Sequence, residues 1–192
     1  MSAGTVSDRL SPLASQAVFR VLLESLARPG RVFQLPAVGA ESGPGIVPLA
    51  LAVIGSKVAV AGSPSWQQRI CRATGAQPAG PEEADLVAIY GTAEAQTISR
   101  LQRGSAAAPE DGAKVGLACR ALSQGGPGET TIELSGPGVP GQLRLGVDGV
   151  GPEVFDALCA ANAMFPAGVD VWLVDEHGQV AGLPRSARQV VV

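Results

Sequence analysis

Short apolar runs and longer amphipathic stretches alternate along this sequence, and glycine or proline stands between most of them. Ser11-Pro12 supplies a helix N-cap followed by proline at the first helical position. Ala14, Ala17, Val18, Val21, Leu22 and Leu26 then recur at three- and four-residue spacing, which predicts an amphipathic helix. Pro29-Gly30 ends it, and 31–35 reads as a short strand. Residues 47–54 predict a short buried helix stopped by Gly55, because Ala and Leu outweigh β-branched residues there. A strand over 57–61, a helix over 65–73, a strand over 85–90 and a helix over 94–102 follow.

The second half predicts a strand over 114–122 and a neighbouring strand over 130–134, across a Gly/Pro-rich loop. Another strand covers 142–147, and a helix over 152–164 turns Val154, Leu158 and Ala161 inward. A buried strand over 169–174 then meets 179–183 through a hairpin turn at 175–178. Strands alternating with helices need crossover connections, while the last hairpin adds antiparallel pairing. The expected fold is α/β, one mixed β-sheet covered by helices, in a single domain over 1–192 without internal repeats. The polar loops 78–83 and 104–112 are expected to be its least protected backbone.

Composition narrows the function classes. A net charge of -3 gives no basic footprint for a phosphate backbone, so nucleic acid is not an expected partner. Lys57 and Lys114 are the only lysines, which leaves arginine as the working cation. The 25 glycines and 15 prolines stay below the roughly 25–30% that marks disordered low-complexity sequence. Cys71, Cys119 and Cys159 are odd in number and widely spaced, matching neither a CxxC pair nor a secreted framework, and a reducing cytoplasm fits them. Residues 1–8 do not read as a signal peptide. The apolar run 46–61 is interrupted by Pro48, Gly55, Ser56 and Lys57, too soon for the roughly 20 residues of a membrane helix.

Few residues point to chemistry. His177 is the single histidine and lies in a predicted turn, where a solvated role is expected. The cysteines fall in apolar elements and read as buried thiols. Gly55-Ser56-Lys57 lacks Walker spacing, and the glycines between 146 and 151 lack the strand-loop-helix context of a dinucleotide site. No metal-ligand pattern is present. Gly136, Pro137 and Gly138 follow a strand directly, as a tight loop or as backbone amides facing a ligand or another chain. Phe165, Pro166 and Gly168 lead into the strand that Asp170 opens, while Arg185 and Arg188 follow the next. An Asp170–Arg185 ion pair closing the hairpin and an anion-binding or docking site built on the arginine fork are both open readings.

Five blocks carry a resemblance: Gln16 with Phe19-Arg20 and Ala27-Arg28-Pro29-Gly30; Pro109-Glu110-Asp111-Gly112-Ala113; Leu134-Ser135-Gly136-Pro137-Gly138-Val139; Asn162-Ala163-Met164-Phe165-Pro166-Ala167-Gly168-Val169-Asp170; and Leu183-Pro184-Arg185. In their order and spacing the chain resembles the PhnH family, a subunit of the bacterial carbon-phosphorus lyase system. Two departures stand out. Ile54-Gly55-Ser56-Lys57 replaces a commoner leucine-aspartate turn, and Ser186-Ala187 after Pro184-Arg185 replaces two threonines, leaving one hydroxyl.

The resemblance implies a role in phosphonate catabolism with PhnG, PhnI, PhnJ, PhnK and PhnL as partners. The implied reaction displaces adenine from ATP by methylphosphonate, giving α-D-ribose 1-methylphosphonate 5-triphosphate in a transferase complex. The chain itself would serve chiefly in docking and would not be catalytic alone. It also implies a homodimer in isolation and a fold like the large domain of pyridoxal-phosphate-dependent transferases without that cofactor. Neither lysine comes with an aspartate and phosphate-cup pattern. Arg28, Asp170, Arg185 and Arg188 keep open a contribution to a shared nucleotide-phosphonate site. A free-standing phosphate-sugar binding protein is a third reading.

Overall fold

The computed structural model describes residues 9–37 and 43–192; the stretch 1–8, read above as lacking a signal peptide, lies outside them. Helix α1 (Pro12–Ala27) starts where its cap predicts: Ser11 Oγ accepts the Ala14 N–H at 3.2 Å. Strand β1 (Val32–Gln34) follows. Helix α2 (Ile46–Leu51) ends earlier than the expected 54 because Ser56 captures the chain. Its hydroxyl accepts the Val53 N–H at 3.1 Å while its own N–H donates to the Val53 carbonyl at 3.0 Å, closing a turn with Gly55 at φ 94.

Next come β2 (Lys57–Ala61), α3 (Pro64–Thr74), β3 (Gln77–Pro78), β4 (Leu86–Ile89) and α4 (Ala95–Ser99). α4 is shorter than expected, since the Gln102 carbonyl accepts the Ala113 N–H at 2.8 Å and Arg103 bridges Gly112. A 3-10 turn (Pro109–Asp111) precedes β5 (Lys114–Ala118). Each of the polar loops 78–83 and 104–112 has a contact to a strand: the Ala79 N–H donates to Val58 O at 2.9 Å, and the Lys114 ammonium donates to Glu110 O at 2.9 Å.

The expected strand over 114–122 is two strands in two sheets. β5 stops, and β6 (Ala121–Gln124) begins after a hand-over: Cys119 N–H donates to Val174 O at 3.0 Å, and Arg120 N–H to Asp148 O at 2.8 Å. One residue is bonded to the first sheet and its neighbour to the second. β7 (Thr130–Ser135), β8 (Leu143–Asp148), α5 (Pro152–Ala161), β9 (Asp170–Val174), β10 (Gln179–Leu183) and β11 (Arg188–Val191) complete the chain.

The first sheet has the order β1-β10-β9-β5-β4-β2-β3 and is mixed: β9, β5, β4, β2 and β3 run parallel, while β10 is antiparallel to both β9 and β1. The second, β11-β7-β8-β6, is antiparallel. The mixed α/β reading holds, but a second sheet accompanies the first. β8 lies between β6 and β7, so the predicted pairing of neighbours across the 123–129 loop does not form.

Alternation along β9 sorts the layers. Trp172 and Val174 pack with Val18 and Leu22 of α1 and Ile46 and Val47 of α2. Val171 and Leu173 face the main core with Ile132, Leu134 and Leu145 of the second sheet and Phe155 and Leu158 of α5. Full burial of Phe155 or Leu158 is worth about 1.5–3 kcal/mol each. α1 is pinned by the Trp172 indole N–H on Leu22 O at 2.9 Å, and Gly182 of β10 leaves room for its Ser25 backbone, into which a Cβ would run. Among the described residues no helix is long and apolar enough to cross a membrane.

Candidate functional site

The residues singled out from sequence fall into two neighbouring groups, and a third site was not foreseen. In the first group, Arg185 is a knot. Its backbone N–H and Nε donate to Asp170 Oδ1 at 2.9 and 3.2 Å, and its Nε and Nη2 donate to Oδ2 at 3.2 and 2.8 Å. Nη1 donates to Pro109 O at 2.5 Å and to Pro166 O at 3.5 Å. Both side chains are mostly covered, at 11% and 20% exposure. The ion pair expected at the hairpin is therefore present, and it also holds two loops.

Those loops are drawn in by their own backbones. α5 stops before the expected 164 because Asn162 leaves the helix to bind Val169, accepting its N–H at 2.7 Å and donating to its carbonyl at 3.2 Å. Gly168 N–H donates to Arg103 O at 2.7 Å, and Asp170 N–H to Ala113 O at 3.2 Å. Gly112 lies against Gly168 O and the Arg185 guanidinium, where a Cβ would collide with both. The Phe165–Pro166 peptide is cis. Phe165 points outward at 64% exposure and joins Met164 as exposed apolar surface rather than core.

In the second group, the turn between β7 and β8 lies on the end of α1. Gly138, at φ 79, packs on Ala27 O and Pro29, and Gly136 packs on the backbone of 186–188. Pro137 is exposed between them. Arg28 and Arg188 flank this turn, both exposed. Arg28 pairs with Glu24 at 2.9 Å, one helical turn earlier. The five sequence blocks thus meet in space: three at Arg185, and those at 27–30 and 134–139 around the adjoining turn.

The third site is a cleft of about 690 Å³ at the carboxyl ends of β4, β5 and β9. Tyr90, Ala118 and Val174 line it from the strand ends, with Thr92, Cys119, Arg120, Glu129, Asp175 and Glu176 around them. Tyr90 is stacked on Trp66, with ring centroids 5.4 Å apart, and its hydroxyl accepts the Gly45 N–H at 3.1 Å. Arg120 and Glu129 form a close ion pair, exposed to solvent. Arg120 and, next, the Gly149 N–H at 2.9 Å hold the Glu129 carboxyl below its usual range.

Burial, then the Asp175 and Asp148 carboxylates, push the Cys119 thiol up to about 12. Burial also raises the Cys71 and Cys159 thiols. None is an activated nucleophile. Cys119 is buried as expected, Cys71 partly so, but Cys159 is exposed, because it sits on the solvent side of α5 with Sγ 3.1 Å from Gln189 O. His177 is exposed in its turn, as expected. Among the described residues no three His, Cys, Asp or Glu side chains are placed to share a metal ion.

Asp175 caps the β9–β10 hairpin. Its Oδ1 accepts the His177 and Gln179 N–H groups at 2.9 and 2.8 Å, while Oδ2 is buried with no hydrogen-bond partner among the described residues. The sequence offered one signal for this site. Tyr90, Cys119 and Asp175 each stand at or just past the carboxyl end of an apolar run, where open α/β sheets bind ligands.

A model of the family described as bacterial phosphonate metabolism protein (PhnH) matches residues 9–190. The chain is also similar to a Stutzerimonas stutzeri protein named as a C-P lyase subunit, HtxG. The two are 33% identical over 173 residues, covering 89% of this chain and 83% of that protein.

Proposed function

Because the chain belongs to the PhnH family of bacterial phosphonate metabolism proteins, we propose that it is a docking subunit of a carbon-phosphorus lyase assembly. In that role it works with PhnG, PhnI, PhnJ, PhnK and PhnL in the cytoplasm. It supports formation of α-D-ribose 1-methylphosphonate 5-triphosphate from ATP and methylphosphonate, a transferase reaction completed by its partners. Residues 1–192 act as one domain, a homodimer when alone, and the parallel part of the first sheet is compatible with kinship to the large domain of pyridoxal-phosphate-dependent transferases.

One observation carries this reading. Three of the five sequence blocks that carry the family resemblance converge on a knot whose guanidinium is already engaged by Asp170, Pro109 and Pro166, which suits a rigid docking platform better than an anion site. Beside it, Phe165 and Met164 present apolar side chains to solvent. Co-expression of the tagged chain with the other subunits tests the reading: co-elution at fixed stoichiometry through a salt wash is expected, and a chain that elutes alone overturns it.

A second reading rests on Arg28 and Arg188, exposed on either side of the 136–138 turn, as a contribution to a shared nucleotide-phosphonate site. The double substitution Arg28→Ala with Arg188→Ala separates the two. Docking predicts a weaker complex, whereas substrate binding predicts a complex that forms normally and loses nucleotide.

A further inference from the structure

Neither reading uses the cleft at the carboxyl ends of β4, β5 and β9. Its volume of about 690 Å³ falls in the range of small-molecule sites, roughly 300–1,000 Å³. Among the described residues its charge is one-sided: Glu129, Asp175 and Glu176 line it against one guanidinium, Arg120, which Glu129 already occupies. Phosphates and phosphonates are repelled by such a lining.

Asp175 then specifies what would fit. Its residue is 1% exposed, and two backbone N–H groups hold Oδ1 in place. Among the described residues its second oxygen lacks the partner that a buried carboxylate needs. The side chains beside it, Val174 and Cys119, supply apolar surface and a neutral thiol rather than a counter-charge. A buried carboxylate of this kind is completed by a cationic nitrogen donor, and the low-dielectric wall strengthens that pairing.

We propose that the cleft binds a small organic cation, an ammonium- or guanidinium-bearing molecule, drawn to the Asp175 carboxylate in the cleft wall and reaching its buried Oδ2 through a small side-chain shift that uncovers it. The proposal does not depend on the docking reading. It predicts that agmatine, which carries both groups, shifts the amide resonances of Thr92, Gly149 and Glu176 saturably when added to the full chain. Asp175→Asn, which keeps the Oδ1 acceptor for the hairpin, weakens that binding at least about tenfold.

Valeramide, a neutral molecule carrying an alkyl chain, is the control on the unaltered protein and should bind at least about tenfold more weakly than agmatine. Inorganic phosphate should leave the same amides unmoved. A blocked arginine, with a peptide group on either side, separates a free molecule from the side chain of another protein: it should bind more weakly than agmatine. Unmoved amides with agmatine, equal binding of valeramide, competition by phosphate, or unchanged affinity in Asp175→Asn would overturn the cation site. Tighter binding of the blocked arginine would overturn the small-molecule assignment.

Discussion

Strand β9 has a carboxylate at each end, and the two live differently. Asp170 opens the strand with both oxygens engaged by Arg185, whose fork reaches on to two loop carbonyls. Asp175 follows the strand with one oxygen fixed by backbone and the other buried without a partner among the described residues. A charge satisfied from within the chain is a fastener. One left incomplete beside a cleft has a use for something from outside, and in parallel sheets the carboxyl end is where ligands sit. The contrast between stability at one end and recognition at the other can be broken by mutation.

The largest effect is expected at the fastened end. Arg185→Ala removes a side chain that joins Asp170, Pro109 and Pro166, and strands a mostly covered carboxylate. A loss on the order of 3 kcal/mol is expected from urea unfolding. Arg185→Lys should recover only part of it, because an ammonium cannot serve both carboxylate oxygens and the Pro109 carbonyl together. If both variants unfold at the midpoint of the natural chain, Arg185 is no fastener and the contrast fails.

At the other end, two substitutions of Asp175 should part company. Asp175→Ala deprives the His177 and Gln179 N–H groups of their acceptor and should cost about 1–2 kcal/mol. Asp175→Asn keeps that acceptor and removes an unpartnered charge, so its urea midpoint should equal or exceed that of the natural chain. Equal losses in the two variants would mean that Oδ2 has a partner within the protein.

How much of this was legible in the sequence follows the range of the forces involved. α1 could be read because its cap, its proline and its apolar spacing are local, and β2 matched its predicted range of 57–61 for the same reason. The Asp170–Arg185 pair was foreseeable, since both residues stand at strand ends of one predicted hairpin. The split of 114–122 was not: no glycine or proline marks it, and only the distant Val174 and Asp148 carbonyls separate Cys119 from Arg120. Helices α2, α4 and α5 stopped short of their periodicity because Ser56, Gln102 and Asn162 bind backbone elsewhere. The cleft was hidden because its lining comes from several separate connections.

The alkaline side offers a smaller test, at the thiol beside Asp175. Cys119 keeps its proton to about 12 in the folded protein, against 9.0 for an unperturbed thiol. From about 9 to about 12 the unfolded chain therefore loses a proton that the folded chain retains. Stability must fall as pH rises through that window, and it is undiminished by this group below it. The urea midpoint should decline across the window in the natural chain and decline less in Cys119→Ala, measured against its own value at neutral pH. Alkylation of Cys119 should stay slow until the upper end of the same window. A thiol labelled readily near neutral pH would show that the floor of the cleft opens to solvent.

The smallest effect is expected where a salt bridge has neither burial nor a network. Arg100 Nη2 lies 2.7 Å from Glu82 Oε1, a distance as short as those around Arg185, yet both side chains are about half exposed. The pair lowers the Glu82 pKa, so its contribution exists above the ordinary carboxylate range and is lost as pH falls through the lowered value. Water and salt screen it, and ordering two long side chains offsets what is left. Glu82→Gln should leave the urea midpoint unchanged at moderate salt, in contrast to Arg185→Ala. If the two substitutions cost the same, short distance alone would account for the stability at Asp170, and the covered position of the knot would explain nothing.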